Sequence, residues 1–242
     1  MKDLFNDKGF WKTTLKLATP IFLQNILISS FTLADTLFVS QLGDVSLSAV
    51  GMIGQWGWLL NMVLIGISSG TSVFVAQYWG VKEITKINMT CGIASLSAMI
   101  ISGLFTIFSL LFPSTVVNIF NNNPDVVANG TSYLIIVSLS YPAIAITNVL
   151  SSVLRSVESV KLPMYVSALT TVLNIFLDYG MIFGKFGFTE MGIKGAAIAT
   201  IIRNCFFIIT PSYYLFNILL KILYIKKIYL STNKFILSYF FD

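Results

Sequence analysis

Long apolar runs constrain the fold of this chain more than any other feature of its sequence. Six runs are separated by short polar segments, and they cover about Thr14–Val39, Ala49–Trp79, Ile87–Phe112, Gly130–Leu154, Leu162–Phe183 and Gly192–Leu220. A helix of roughly 20 such residues crosses the hydrocarbon core of a bilayer. Only 10% of the residues are charged, against about 25% in soluble domains. The sequence therefore predicts an all-α integral membrane protein, a bundle of six transmembrane helices.

The basic residues are distributed unevenly between the two sides of this predicted bundle. One side has Lys185 and Lys194, and Arg203 falls within the last run. The other side holds the remaining Lys and Arg: Lys2, Lys8, Lys12, Lys16, Lys82, Lys86, Arg155, Lys161, Lys221, Lys226, Lys227 and Lys234. Because cytoplasmic loops carry the excess of Lys and Arg, both termini are expected in the cytoplasm. Residues 1–13 are then a cytoplasmic segment, 14–220 the six-helix lobe, and 221–242 a cytoplasmic tail.

Composition and motifs argue against several other classes of protein. The chain has no histidine, so Gly66–Gly70, which fits the G-x-S-x-G pattern of hydrolases, lacks the base that a Ser–His–Asp site needs. The loops contain no cluster of acids that could hold a metal for catalysis. No continuous basic face suggests nucleic-acid binding. We expect neither an enzyme nor a resident cofactor nor a nucleic-acid partner.

Two aspartates lie inside apolar runs, Asp35 in the first and Asp178 in the fifth. A charged side chain at the centre of a membrane helix costs about 2.5 to 3.5 kcal/mol. Both helices are expected to run outward, and each aspartate lies about six or seven residues before the outer end, hence at similar depth. Asn174 is one turn from Asp178, and Thr200 in the sixth run is at a comparable level. These side chains can form an oxygen-rich pocket.

This pocket has two functional interpretations and one structural alternative. Its oxygens can hold a small cation such as Na⁺, or one carboxyl can carry a proton. Alternatively, each aspartate only caps a helix or hydrogen-bonds a neighbouring one. Asn148 lies nearer the inner side unless Pro142 bends its helix, and Pro20 permits a kink in the first helix. Arg203 can pair with a carboxylate or snorkel toward the cytoplasm.

Small residues form stripes in two of the runs. Helix backbones approach closely in lipid where small residues recur every four positions. The sixth run has Gly195 and Ala199 at this spacing, and the second has Gly51, Gly54, Gly57, Gly66 and Gly70. We expect both stripes to pack against neighbouring helices.

Several segments together resemble the first half of a transporter of the multidrug and toxic compound extrusion (MATE) family. They are ATPIFLQNILISSFTLADTLFVSQLGDVSLSAVG, GTSVFVAQYWG, LRSVESVKLP, LNIFLDYGMIFG and MGIKGAAIAT. The resemblance implies a plasma-membrane antiporter that exports organic, often cationic compounds in exchange for inward Na⁺ or H⁺. It also implies twelve helices in two six-helix lobes around a central cavity.

The resemblance assigns roles to particular residues. Asp35 and Asp178 occupy the positions of the two coupling aspartates of the family's first lobe, where the coupling ion, Na⁺ or H⁺, would bind. Asn174, Thr200 and Asn148 match further polar members of that site. Ser151 departs from the pattern, because some members have an asparagine there. Pro20 matches a first-helix proline implicated as a hinge.

The resemblance covers one lobe only, and the segment 221–242 does not match the family's link to a seventh helix. Transport would then need a second copy of the chain or a separately encoded C-terminal lobe. One alternative is a truncated fragment that does not transport. Another is a relative of lipid-linked oligosaccharide flippases, which would need several basic residues in the cavity, whereas Arg203 alone is expected within the membrane.

Overall fold

The computed structural model describes residues 8–208, and all regular secondary structure in that range is helical. Seven helices have both ends described: α1 (Lys8–Ser40), α2 (Asp44–Gly80), α3 (Ile84–Leu111), α4 (Pro113–Asn118), α5 (Pro124–Ser138), α6 (Tyr141–Ser156) and α7 (Lys161–Phe183). A further stretch, α8, covers residues 193–208. The predicted tail 221–242 and the end of the sixth run lie outside the described residues.

Four helices are long and apolar enough to cross a membrane, namely α1, α2, α3 and α7. The consecutive helices α5 and α6 meet the same test together and form a fifth candidate span, bent by 50°. The all-α membrane fold is therefore confirmed, with four or five candidate spans in the described part. The sixth span stays a prediction, because only its residues 193–208 are described.

The fourth predicted span is broken by a bend next to Pro142. Leu139 and Ser140 separate α5 from α6, and Pro142 lies in the first turn of α6. Proline has no backbone N–H and is therefore tolerated best in the first turn of a helix. The Ser140 hydroxyl donates to the backbone carbonyl of Val137 at 2.7 Å. The bend that Pro142 permits is thus present.

The polar segment expected between the third and fourth runs is in part a helix. α4 begins at Pro113, and its Val116 and Val117 are fully buried. Both valines pack with Ile53 of α2 and Leu134 of α5 in one apolar core. The sequence indicated only a polar segment here, because a single buried turn needs only two apolar residues and leaves little periodic signal.

Two contacts place the aspartate-bearing helices. α1 packs along α7, where the buried Gln24 amide donates to the Ser167 hydroxyl at 3.2 Å. α7 turns back into α8 through Gly184, whose φ of 64° suits glycine. α8 then returns against α7 so closely that a Cβ on Gly195 would lie 2.7 Å from the backbone carbonyl of Met181.

The two glycine stripes behave differently. The stripe with Gly195 and the fully buried Ala199 packs against α7 as expected. On α2, a Cβ would meet no atom of the described residues within 4 Å at any of the five glycines, Gly51, Gly54, Gly57, Gly66 and Gly70. The packing prediction for α2 was wrong in this part of the chain, and three of these glycines border a cavity instead.

The packing of α1 on α7 can be tested by cross-linking. In a chain whose Cys91 and Cys205 are replaced by serine, Gln24→Cys with Ser167→Cys is expected to cross-link rapidly with a short bismaleimide, because the two native side chains touch. Gel mobility after a protease cut between α1 and α7 measures the product. Leu23→Cys with Ser167→Cys is the control, since Leu23 is exposed on α1. Equal rates for both pairs would contradict the packing.

Candidate ion-binding site and cavity

A cavity of about 730 Å³ lies between α1, α2, α5, α6, α7 and α8. Its wall combines aromatic rings with amides, hydroxyls and charged groups. The aromatic side chains are Trp58, Tyr133, Tyr141 and Phe207. The charged side chains are Asp35, Arg155 and Arg203. This mixture of apolar area with a few polar groups is typical of sites for small organic ligands.

Asp35 and Asp178 come together at the contact between α1 and α7. The side chain of Asp178 is 1% exposed and that of Asn174 is fully buried. Asp35 is close enough to Asp178 for the two carboxylates to repel each other. The structure therefore brings the two acids to one location, and their matched depth in a membrane stays a prediction.

These three side chains contain polar atoms that no other described residue satisfies. The unpaired buried atoms are Asp35 Oδ1, Asn174 Oδ1 and Nδ2, and both carboxylate oxygens of Asp178. Buried polar groups in proteins are nearly always hydrogen-bonded, and a buried carboxylate without a counter-charge is costly. Structural capping does not explain this cluster, because a capping carboxylate would accept hydrogen bonds. The unpaired oxygens could instead serve as ligands of a cation, or one carboxylate could hold a proton.

Tyr133 lies near the acidic pair and contacts Thr200. Tyr133 on α5 is 6% exposed, and its hydroxyl interacts with the hydroxyl of Thr200 on α8. Tyr133 also lies within electrostatic range of both carboxylates. Thr200 thus contacts Tyr133, and its place in the ion site stays a prediction. Tyr133 was missed, because a tyrosine in an apolar run is usually read as an interfacial residue.

Arg203 faces the cavity and the acidic pair. Its guanidinium lies over the ring of Phe31, 4.2 Å from the centroid, and Nη2 donates to the Asn204 side-chain oxygen at 2.9 Å. It attracts both carboxylates electrostatically, although no described residue accepts a salt bridge from it. The sequence left open whether Arg203 pairs with a carboxylate or snorkels toward the cytoplasm. The structure favours an electrostatic attraction to the carboxylates without a direct salt bridge.

Of the remaining predicted site residues, Asn148 and Ser151 line the cavity, whereas Pro20 is not among its lining residues. Asn148 donates to the side-chain oxygen of Asn61 at 3.2 Å and to the carbonyl of Ile144 at 3.1 Å, so its donors are not directed at the aspartates. Ser151 lines the same cavity as Asp35. Pro20 is buried, and α1 continues through it without a break.

Sequence comparison relates the chain to one family of membrane proteins. The MatE family model matches residues 20–180. A probable multidrug resistance protein NorM of Thermotoga maritima is 36% identical over 194 residues, which are 80% of this chain and 42% of that protein. An FAD transporter of Shewanella oneidensis is 25% identical over 190 residues, again 42% of its length. The chain therefore spans less than half the length of these relatives.

Solved structures show the same fold. A MOP-superfamily transporter from Pyrococcus furiosus has a TM-score of 0.76 at 24% identity, covering 85% of this chain and 44% of that one. An outward-facing multidrug resistance transporter has the same TM-score and identity, covering 85% of this chain and 45% of that one. In both, the similarity extends over roughly one half of the longer protein.

Proposed function

The chain belongs to the MatE family, and on that premise we propose that it is the first lobe of an antiporter that exports small organic compounds in exchange for Na⁺ or H⁺. Members of this family are multi-pass membrane transporters rather than enzymes. The observation that carries the proposal is the set of unpaired buried oxygens on Asp35, Asn174 and Asp178.

The donor set suits a hard cation. Carboxylate and amide carbonyl oxygens are the ligands that such ions prefer, and Asp35, Asp178 and Asn174 supply both kinds from helices α1 and α7. Na⁺ would be held by these oxygens, with Thr200 beside them. A proton can take its place, because protonation of one carboxyl also relieves the repulsion within the pair. Either ion supplies the positive charge that the buried pair needs.

Ion binding can be coupled to export through the shared cavity. Asp35 belongs both to the acidic pair and to the cavity wall. An ion bound at the acidic pair therefore changes the charge that an organic ligand meets in the cavity. A ligand and an ion that prefer different lobe conformations drive alternating access. Pro20 is the proposed hinge, because α1 has no backbone hydrogen bond from that residue and can bend there, moving Asp35 relative to Asp178.

The second half of the transport pathway would come from another lobe. The chain covers 42% of the Thermotoga relative, and either a second copy or a separately encoded C-terminal lobe would complete the cavity. Cationic amphipathic compounds are the proposed cargo, since aromatic faces attract cations.

The flippase-like alternative is supported by one observation, because Arg155 as well as Arg203 lines the cavity, whereas the sequence indicated Arg203 alone. A fragment without transport is the third possibility.

Dye export distinguishes these functions. The chain is expressed in an efflux-deficient host, alone and with the remaining half of the Thermotoga relative, and ethidium retention is followed with and without ionophores. We expect ion-gradient-dependent export that Asp35→Asn abolishes and that Asp44→Asn, at the exposed start of α2, leaves intact. Export that survives Asp35→Asn would contradict the proposal. If the purified chain binds the ion but exports no ethidium, either alone or with the second half, the result would favour a non-transporting fragment.

A further inference from the structure

A second, smaller cleft opens between the C-terminal halves of α2 and α6. It has a volume of about 570 Å³. Its polar wall consists of Ser68, Ser69, Ser72, Ser152, Ser156 and Arg155, with Asn148 at one end. No acidic side chain of the described residues lines it. The cleft therefore presents hydroxyls and one positive charge, without a carboxylate to neutralise that charge.

Arg155 has no internal counter-charge. It is partly buried at the end of α6, and within residues 8–208 its guanidinium makes no hydrogen bond or ion pair. A guanidinium has five N–H donors in a fixed planar fork. Removing such a group from water without compensation is costly, so an arginine held in a cleft without a protein acceptor is well placed to receive an anionic ligand.

Ser68 is the second unsatisfied group of the cleft. Its side chain is 7% exposed, and its Oγ is buried without a hydrogen-bond partner among the described side chains and backbone. Its neighbours use their hydroxyl hydrogens internally: Ser152 donates to the Ser68 carbonyl at 2.8 Å, and Ser72 donates to the Ser69 carbonyl at 2.7 Å. Ser68 is thus a free hydroxyl donor, held in place by the contact between α2 and α6.

We propose that this cleft binds the phosphate or carboxylate group of an anionic ligand, with Arg155 as its charged anchor and Ser68 as a hydroxyl donor. A guanidinium fork matches the oxygens of both groups in bidentate fashion. The same group can belong to an anionic lipid headgroup or to a soluble or amphipathic compound. The site does not depend on the proposed ion coupling, because neither Asp35 nor Asp178 lines the cleft.

The position of the cleft favours ligands that have an apolar portion. Arg155 and Asn148 line both the cleft and the larger cavity, so the two spaces meet at these residues. An anionic group in the cleft would leave its apolar part free to extend toward the aromatic rings of the cavity. Lys82 lies just beyond the end of α2 and would attract anions toward this end of the bundle.

Calorimetric titration of the purified full chain in an uncharged detergent tests the proposal. The probes are inorganic phosphate, dihexanoyl phosphatidic acid, and dihexanoyl phosphatidylcholine as a zwitterion with the same tails. We expect the phosphatidic acid to bind more tightly than the phosphatidylcholine. Arg155→Met should weaken that binding by about tenfold or more. Ser68→Ala should weaken it by a smaller factor, and Arg155→Lys should retain part of it, because the charge remains without the fork.

Lys161→Met is the matched control, since Lys161 is exposed and lies outside the cleft. Binding of free phosphate that Arg155→Met abolishes would identify a soluble oxyanion as sufficient. Arg155-dependent binding of the phosphatidic acid alone would identify a lipid or an amphipathic anion. Failure of both anionic probes, equal binding of the zwitterion, or equal losses in Arg155→Met and Lys161→Met would overturn the proposal.

Discussion

Replacing Asp178 by asparagine is expected to abolish ion binding by the chain while making its fold more stable. The carboxylate is 1% exposed, accepts no hydrogen bond from the described residues, and repels Asp35. An amide of nearly the same shape removes the negative charge, and the relief of burial and repulsion outweighs the lost attraction to Arg203. Because a buried polar group without a partner costs about 1–3 kcal/mol, and a charged one more, Asp178→Asn should raise the melting temperature in ion-free buffer.

Melting curves of purified protein with increasing Na⁺, and separately with decreasing pH, measure this effect. A ligand that binds only the folded state stabilises it in proportion to its occupancy, so the wild type should gain stability from its ion and Asp178→Asn should gain none. Asp44→Asn is the control, because Asp44 is exposed at the start of α2. An Asp178→Asn chain that is less stable and still responds to the ion would show that the carboxylate has a structural role.

Gly195→Ala is expected to destabilise the bundle more than any other single methyl group placed on a helical glycine of the described residues. The added Cβ would lie 2.7 Å from the carbonyl carbon and oxygen of Met181. Since those are backbone atoms, α7 and α8 must move apart to relieve the clash. Overpacking of this kind costs typically about 1–3 kcal/mol. The shift would also move Thr200 on α8 relative to Asp178 on α7.

Gly92→Ala in α3 is the matched control, because a Cβ there meets no described atom within 4 Å. An alanine is favoured over glycine in a helix interior by about 0.5–1 kcal/mol, so this variant should be as stable as the wild type or more so. The melting temperature and the monodisperse fraction on size-exclusion chromatography measure both variants. Equal stability of Gly195→Ala and Gly92→Ala would contradict the close approach of α7 and α8.

The acidic pair could be predicted from sequence because helix geometry fixes depth. A constant rise per residue and the alternation of helix directions place Asp35 and Asp178 at one level without knowledge of packing. Helix geometry does not fix which helices pack together, and this packing determines which side chains complete the site. The contact of α1 with α7 brings the acids together, and the bend near Pro142 lets α6 contribute Asn148 and Ser151 to the cavity wall.

Residues whose roles arise from packing alone were missed. Tyr133 joins the acidic site because α5 packs with α8 in one apolar core, and nothing in its local sequence indicates that contact. The glycines of α2 follow the spacing of a packing stripe, yet spacing alone does not distinguish a helix face that meets a neighbour from one that borders a cavity. Ser68 and Arg155 are far apart in sequence, and only the contact of α2 with α6 makes them one cleft.

Carbodiimide labelling tests the central claim most directly, namely that Asp35 and Asp178 together bind one ion. Dicyclohexylcarbodiimide reacts with protonated carboxyl groups in apolar surroundings, and mass spectrometry of peptides locates the product. We predict that Asp178 is labelled, that Na⁺ or rising pH protects it, and that Asp35→Asn weakens the protection by Na⁺. Labelling of Asp178 that neither Na⁺ nor pH changes, or protection that is the same in Asp35→Asn, would contradict the shared site.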